Sequence, residues 1–321
     1  MSVDKTFVNA MCISRQKNLL GKDKLARLLE CADFDETIRM LGEYGFGEGD
    51  AVSADYEHLL LSEQTKLYDF VRSYAPTDAI GAFLLAPKDF YNAEYLLRAA
   101  HVTLPELPLV AGTVSVDRVK KGIAGAYNLL PTWLVEPVKE AEALFERGTA
   151  TGVAVSTVFT RAMYAYLLSV CKGRRVRGYV QWQIDAKNVS IALRSANRAE
   201  IESMYIEGGK VSLDSLVLLG KGERTAIDRR FAGTDYTEVV RLALDAKERK
   251  LPLVAYENAV DSAFLRSLYP ERYSCEGDAP FLLYFGYKAN DIANVRLILA
   301  GKLAGADKEN IKARLRVSYG E

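Results

Sequence analysis

Three short segments of this chain carry one pattern at intervals of about a hundred residues, and that repetition limits the fold more than any other feature. "NAEYLLR" at 92–98, "NVSIALR" at 188–194 and "NVRLILA" at 294–300 open on Asn92, Asn188 and Asn294. Leucine follows at the fifth place in all three, as Leu97, Leu193 and Leu299. Arginine takes the sixth place in the first two, Arg98 and Arg194, where the third has Ala300. Further on, "VSVD" at 114–117 and "VSLD" at 211–214 stand at nearly equal distances behind their asparagines. Both read as helix starts, with Ser115 or Ser212 as N-cap and Asp117 or Asp214 in the positive first turn. A fainter copy, "NAMCISR" at 9–15, keeps the asparagine and arginine without the leucine. The chain is therefore expected to hold three similar helical units, at 1–105, 106–207 and 208–321.

Helical spacing dominates elsewhere. Leu25, Leu28 and Leu29 recur on one face, as do Ile38 and Leu41, before a glycine-rich stop at Gly45, Gly47 and Gly49. Leu60, Leu67, Phe70 and Val71 repeat the theme, and "EVVRLALDAKERK" and "AVDSAFLRSLY" read as short amphipathic helices. Strand-like alternation is confined to "LVAGTVSV" at 109–116. The fold class is all-α. Pro87 suits the first position of the helix that carries Asn92, since its missing N–H costs nothing there. Phe90, Ala93, Leu97 and Ala100 then share one stripe. Asparagine inside such a helix is mildly unfavourable, and is tolerated where its amide finds a partner. Two readings stand: the asparagines pin helices within each unit, which is preferred, or they touch a partner.

Bulk numbers exclude several classes. Lysine and arginine total 42, aspartate and glutamate 42, so the net charge is zero, which argues against a nucleic-acid binder apart from a local basic patch. Cys12, Cys31, Cys171 and Cys275 are far apart, as in a reduced cytosolic protein rather than a disulfide framework or zinc site. The N-terminus lacks the basic and apolar regions of a signal peptide. No apolar run is expected to reach the roughly 18–20 residues of a membrane span.

Catalytic patterns are missing. Gly21-Lys22, Gly209-Lys210, Gly220-Lys221 and Gly301-Lys302 are not followed by serine or threonine, so none is a P-loop, and they read as helix ends. The two histidines, His58 and His101, have no metal-ligand spacing around them, and no Gly-x-Ser-x-Gly occurs. Carboxylate pairs such as Asp89 and Glu94 read as caps and solvated faces. One basic run, "CKGRRVRG", sets Arg174, Arg175 and Arg177 just ahead of the second asparagine helix. It reads as an exposed loop or helix end, or as an electrostatic contact for acidic groups or anionic lipid. No cofactor, metal or catalytic residue is expected. The residues alone suggest a structural or coupling part of an assembly, with an unrelated helical scaffold and an all-α enzyme as the competing readings.

"KDFYNAEYLLRAAHV" and "YKANDIANVRLILAGKLAGADKENIKARLRVSYG" resemble the first and last signature segments of the C subunit of V/A-type ATP synthases, the counterpart of the d subunit of the eukaryotic vacuolar enzyme. Asp89, Phe90, Asn92, Leu96, Leu97 and Arg98 match the first; Asn294, Arg296, Leu297, Ile298, Gly301, Lys302 and Arg314 match the last. The resemblance implies three helical domains in a funnel of pseudo-threefold symmetry. It also implies a non-catalytic rotor adaptor of an ion-transporting complex, peripheral on the cytosolic face of the membrane. The expected partners are the central stalk and the proteolipid ring. The expected contact or signature residues are Asn92, Arg98, Asn188, Arg194, Asn294, Arg296, Arg174, Arg175 and Arg177.

Overall fold

The computed structural model describes residues 4–47 and 56–320, and the described residues contain helices and no strands. In chain order the first helices are α1 (Lys5–Arg15), α2 (Gly21–Glu30), α3 (Phe34–Glu43), α4 (Tyr56–Tyr74) and α5 (Asp78–His101). Next come α6 (Val116–Ile123), α7 (Thr132–Glu146), α8 (Gly152–Val170), α9 (Arg174–Arg194) and α10 (Arg198–Met204). The series ends with α11 (Leu213–Lys221), α12 (Arg224–Phe231), α13 (Thr237–Glu248), α14 (Val254–Leu268), α15 (Ala279–Leu303) and α16 (Lys308–Lys312). The chain forms two compact units: Met1–Asp78 with Asp261–Glu321, and Ala79–Val260. Gly49 of the expected glycine stop lies outside the described residues.

Each asparagine helix feeds its own hydrophobic core. Phe90, Ala93 and Leu97 of α5 pack with Val119 of α6, Leu134 and Val138 of α7, and Val155 and Phe159 of α8. Val189 and Leu193 of α9 pack with Leu216 and Leu219 of α11, Ile227 of α12, Val240 and Leu244 of α13, and Tyr256. Val295, Ile298 and Leu299 of α15 pack with Leu25 and Leu28 of α2, Ile38 and Leu41 of α3, and Leu60 and Leu67 of α4. The stripe falls one and five places after each asparagine, so Leu97, Leu193 and Leu299 are all core residues. Burial of one such side chain stabilises by about 1.5–3 kcal/mol. Ala100, expected on the first stripe, is exposed. The cores cut across the expected blocks: residues 189–260 straddle the boundary at 207, and α15 is completed by helices from the N-terminal part of the chain.

Several local readings change. Pro87 lies well inside α5, where it withholds one main-chain hydrogen bond; the helix starts earlier because Ile80, Phe83 and Leu84 extend the apolar surface. The stretch 109–116 forms no strand: residues 109–115 dock as an irregular segment against α5, and Val116 already begins α6. Ser115 and Ser212 cap α6 and α11 as expected, accepting from the amides of Arg118 and Ser215. Of the Gly-Lys pairs, Gly21 opens a helix and Gly209-Lys210 sits in a loop, whereas Gly220-Lys221 and Gly301-Lys302 do lie in last turns.

By length and composition alone one helix among the described residues, α8, could cross a membrane, which does not amount to a clear span. Its apolar character serves the core through Val155, Phe159 and Leu167, and it packs against α7 and α9. Midway along it, Arg161 donates to the carbonyls of Glu202, Ser203 and Tyr205, capping the end of α10.

Candidate functional site

All three asparagines are buried, at 0–1% exposure, and each holds a segment that runs back along its helix. Asn92 Nδ2 donates to the Val110 carbonyl at 2.9 Å. Asn188 Nδ2 donates to the Ile206 carbonyl at 2.8 Å, and its Oδ1 accepts the Ile206 amide at 2.9 Å. Asn294 repeats that two-way bond with Arg316, at 3.1 and 2.8 Å. An asparagine can do this because its amide offers a donor and an acceptor side by side, matching one residue's main chain.

Sequence reasoning missed the second half of the device. An aspartate stands three residues before each asparagine, on the same helical ridge, and Asp89, Asp185 and Asp291 are all 0% exposed. Asp89 accepts from the Thr113 amide (2.8 Å) and hydroxyl (2.5 Å) and from the Val114 amide (3.2 Å). Burial still pushes its carboxyl above the usual range, with these bonds pulling back. Asp185 accepts from the amides of Lys210 and Val211 at 2.9 Å and from the Tyr236 hydroxyl. Burial and the neighbouring carboxylate raise the Tyr236 phenol. Asp291 accepts the Leu20 amide at 2.9 Å.

In each case the clasped amides directly precede a helix: α6, α11 and α2. Thus α2 stands to α15 as α6 stands to α5 and α11 to α9. Glycine allows the close approach: a Cβ on Gly112 would collide with Asp89 Oδ1, and one on Gly209 with Asp185 Oδ1. The recoverable signal was Asp-x-x-Asn, present at all three sites. Asp89 is accordingly a buried anchor and not the solvated face expected for it.

The arginines lie outside the cores. Arg98 sits 3.6 Å from Glu94 one turn earlier, and Arg194 lies 3.5 Å from Glu257 with both side chains more than half exposed. Arg296 pairs with Glu57 at 2.8 Å. Such pairs hold little energy in water. Lys302 instead donates to the carbonyls of Leu29 and Cys31, closing the end of α2. Of the two placements read for the basic run, loop or helix end, the structure has the second: it forms the first turn of α9, with Arg174 and Arg175 exposed, while Arg177 donates to the Leu168 carbonyl at 2.6 Å.

A cleft of about 560 Å³ opens beside α1, α4 and α15, lined by Arg15, Lys66, Lys288 and the buried Glu63 among others. Glu63 lies 2.6 Å from Lys288 and 3.2 Å from Lys66. Burial raises its carboxyl, but the two lysines outweigh that and hold it below the usual range. The Cys12 thiol is pushed up to about 12 by burial, which makes it a poor nucleophile.

The described residues form helices without strands, and each of the three asparagine helices carries a polar clasp beside a hydrophobic cluster. The chain belongs to the ATP synthase (C/AC39) subunit family, whose model matches residues 8–314. It is similar to the C subunit of the V-type sodium ATPase of Enterococcus hirae, with 22% identity over 97% of this chain and 98% of the relative. It is also similar to the C subunits of the A-type ATP synthases of Halorubrum lacusprofundi (23% identity, 95% and 92% covered) and Halobacterium salinarum (25%, 92% and 90%).

Proposed function

We propose that this chain is a non-catalytic rotor adaptor of a rotary V/A-type ATPase, joining the central stalk to the membrane proteolipid ring on the cytosolic face. The observation that carries this reading is the family match along nearly the whole chain, with relatives named as the C subunit of such complexes. The clasps agree with the role. A part that transmits torque must resist shear between its helices, and hydrogen bonds made away from water resist it better than solvated ones. The same clasps support a division into three related units. Each unit is a long helix with the helices that follow it, and the third is completed by α2 to α4.

Arg98 and Arg194, at matching places beside their cores, are partner-contact residues in this reading, and Arg296, four residues before the corresponding Ala300, serves in the third unit. Arg174 and Arg175 join them for a physical reason. Two guanidinium groups at the positive end of α9 oppose the helix dipole, so they weaken the isolated helix and favour an acidic partner there. The test is co-purification. A tagged chain expressed in its own cells should bring down an ATP-hydrolysing head, a stalk and a proteolipid ring from solubilised membranes. Recovery from soluble fractions alone, without those components, would support an unrelated helical scaffold instead.

A further inference from the structure

The three clasps differ in one respect that concerns how the N-terminal segment is held. Asp89 and Asp185 each receive at least three donors. Asp291 is as deeply buried, yet Oδ2 accepts only the Leu20 amide, and Oδ1 has no hydrogen-bond partner. Gln16, four residues before Leu20 and 2% exposed, likewise has both amide atoms without a partner. This clasp joins residues 271 apart in sequence, whereas the other two close loops of some two dozen residues. It is the clasp with the least compensation and the longest span.

We propose that Asp291 is a pH-sensitive latch: protonated, it lets the segment around Gln16–Leu20 seat fully on α15, and ionised, it loosens that seat. The physical cause is desolvation. A carboxylate withdrawn from water needs several donors to keep its charge, and one amide does not suffice. Burial pushes Asp291 up to about 6, while the Leu20 amide, Lys288 and Lys24 pull back only part of the way. Several charged groups on elements packed against α15 are engaged elsewhere, while Asp23 and Arg27 of α2 and Arg39 and Glu43 of α3 are further charges on those elements. Glu63 of α4 holds Lys288, Arg15 of α1 lies over Phe70, Lys308 of α16 pairs with Glu30, and Arg272 lies over Tyr269 and Tyr273. With the folded value above the open one, closure is unpenalised below about pH 4, where both forms are neutral. It weakens as pH rises from about 4 to 6, and the loss is constant above that. The ratio of open to closed segment therefore rises about tenfold between pH 5 and 7.5.

Hydrogen exchange on the full chain tests this, with protection factors corrected for the intrinsic pH dependence of exchange. Amides of Leu20, α1 and α2 should lose about tenfold protection between pH 5 and 7.5. The Ile206 amide, clasped by the non-titrating Asn188, serves as the control and should not change. In Asp291→Asn the dependence at Leu20 should vanish. Equal protection at both pH values in the wild type overturns the proposal, as does an Asp291→Asn protein that keeps the wild-type slope. If that variant fails to fold, the wild-type comparison between Leu20 and Ile206 still decides.

Discussion

Asn188→Ala separates a packing role from a partner role for the repeated asparagine. Asn188 is 1% exposed and satisfies both main-chain groups of Ile206, itself 2% exposed. Alanine would leave an N–H and a C=O facing a dry gap, and each such group costs roughly 1–3 kcal/mol, so a loss of about 2–6 kcal/mol is expected. Asn92→Ala should cost less, about 1–2 kcal/mol, because only its Nδ2 is bonded while Oδ1 has no partner. Urea unfolding followed by tryptophan fluorescence suits both, since the chain has two tryptophans near the two sites. Trp182 stacks on Tyr236 at 4.9 Å, and Trp133 lies 5.1 Å from Phe90. With a slope of about 1–3 kcal/mol per molar urea, Asn188→Ala should lower the midpoint by roughly 1–2 M. A midpoint within about 0.2 M of wild type, together with lost recovery of ATPase partners, would refute the packing assignment. So would a larger loss for Asn92→Ala than for Asn188→Ala.

Gly209→Ala would drive a methyl into the Asp185 carboxylate and should destabilise by about 2–4 kcal/mol in thermal unfolding, whereas alanine at the exposed, open Gly173 should be nearly neutral. Glu63→Gln strips the shared partner from Lys288 and Lys66 and should cost about 2–4 kcal/mol at pH 7. Because the Glu63 carboxyl is depressed, the wild-type advantage should fade as pH drops below about 4, which denaturation at pH 3 and pH 7 would show. Arg98→Ala and Arg194→Ala should each change stability by less than about 0.5 kcal/mol, and together weaken stalk or ring recovery. Unchanged recovery in the double variant removes them from the contact set.

The all-α class and the core leucines were legible because a helix exposes its period directly in the spacing of apolar residues. The asparagine repeat was legible too, but its chemistry was only half read. Asp89, Asp185 and Asp291 looked like three of many acids, because sequence carries no record of burial and aspartate is usually solvated. The boundaries were hardest. Nothing local in Leu20 tells that its amide meets Asp291, since the pairing depends on which surface α15 leaves uncovered after folding. Pro87 misled for a related reason. Its preference for a first turn is real, but packing by Ile80, Phe83 and Leu84 outweighs one lost hydrogen bond.

The completion of the α15 core by α2, α3 and α4 has a consequence for synthesis on the ribosome. Those three helices emerge early, yet the surface they cover is made roughly 230 residues later. At about 5–20 residues per second, their apolar faces wait on the order of ten to fifty seconds for a mate. Meanwhile the cores headed by α5 and α9 can close on segments that follow them directly. A nascent chain of this kind should therefore recruit a holding chaperone to its first seventy residues, and release it only when α15 clears the exit tunnel.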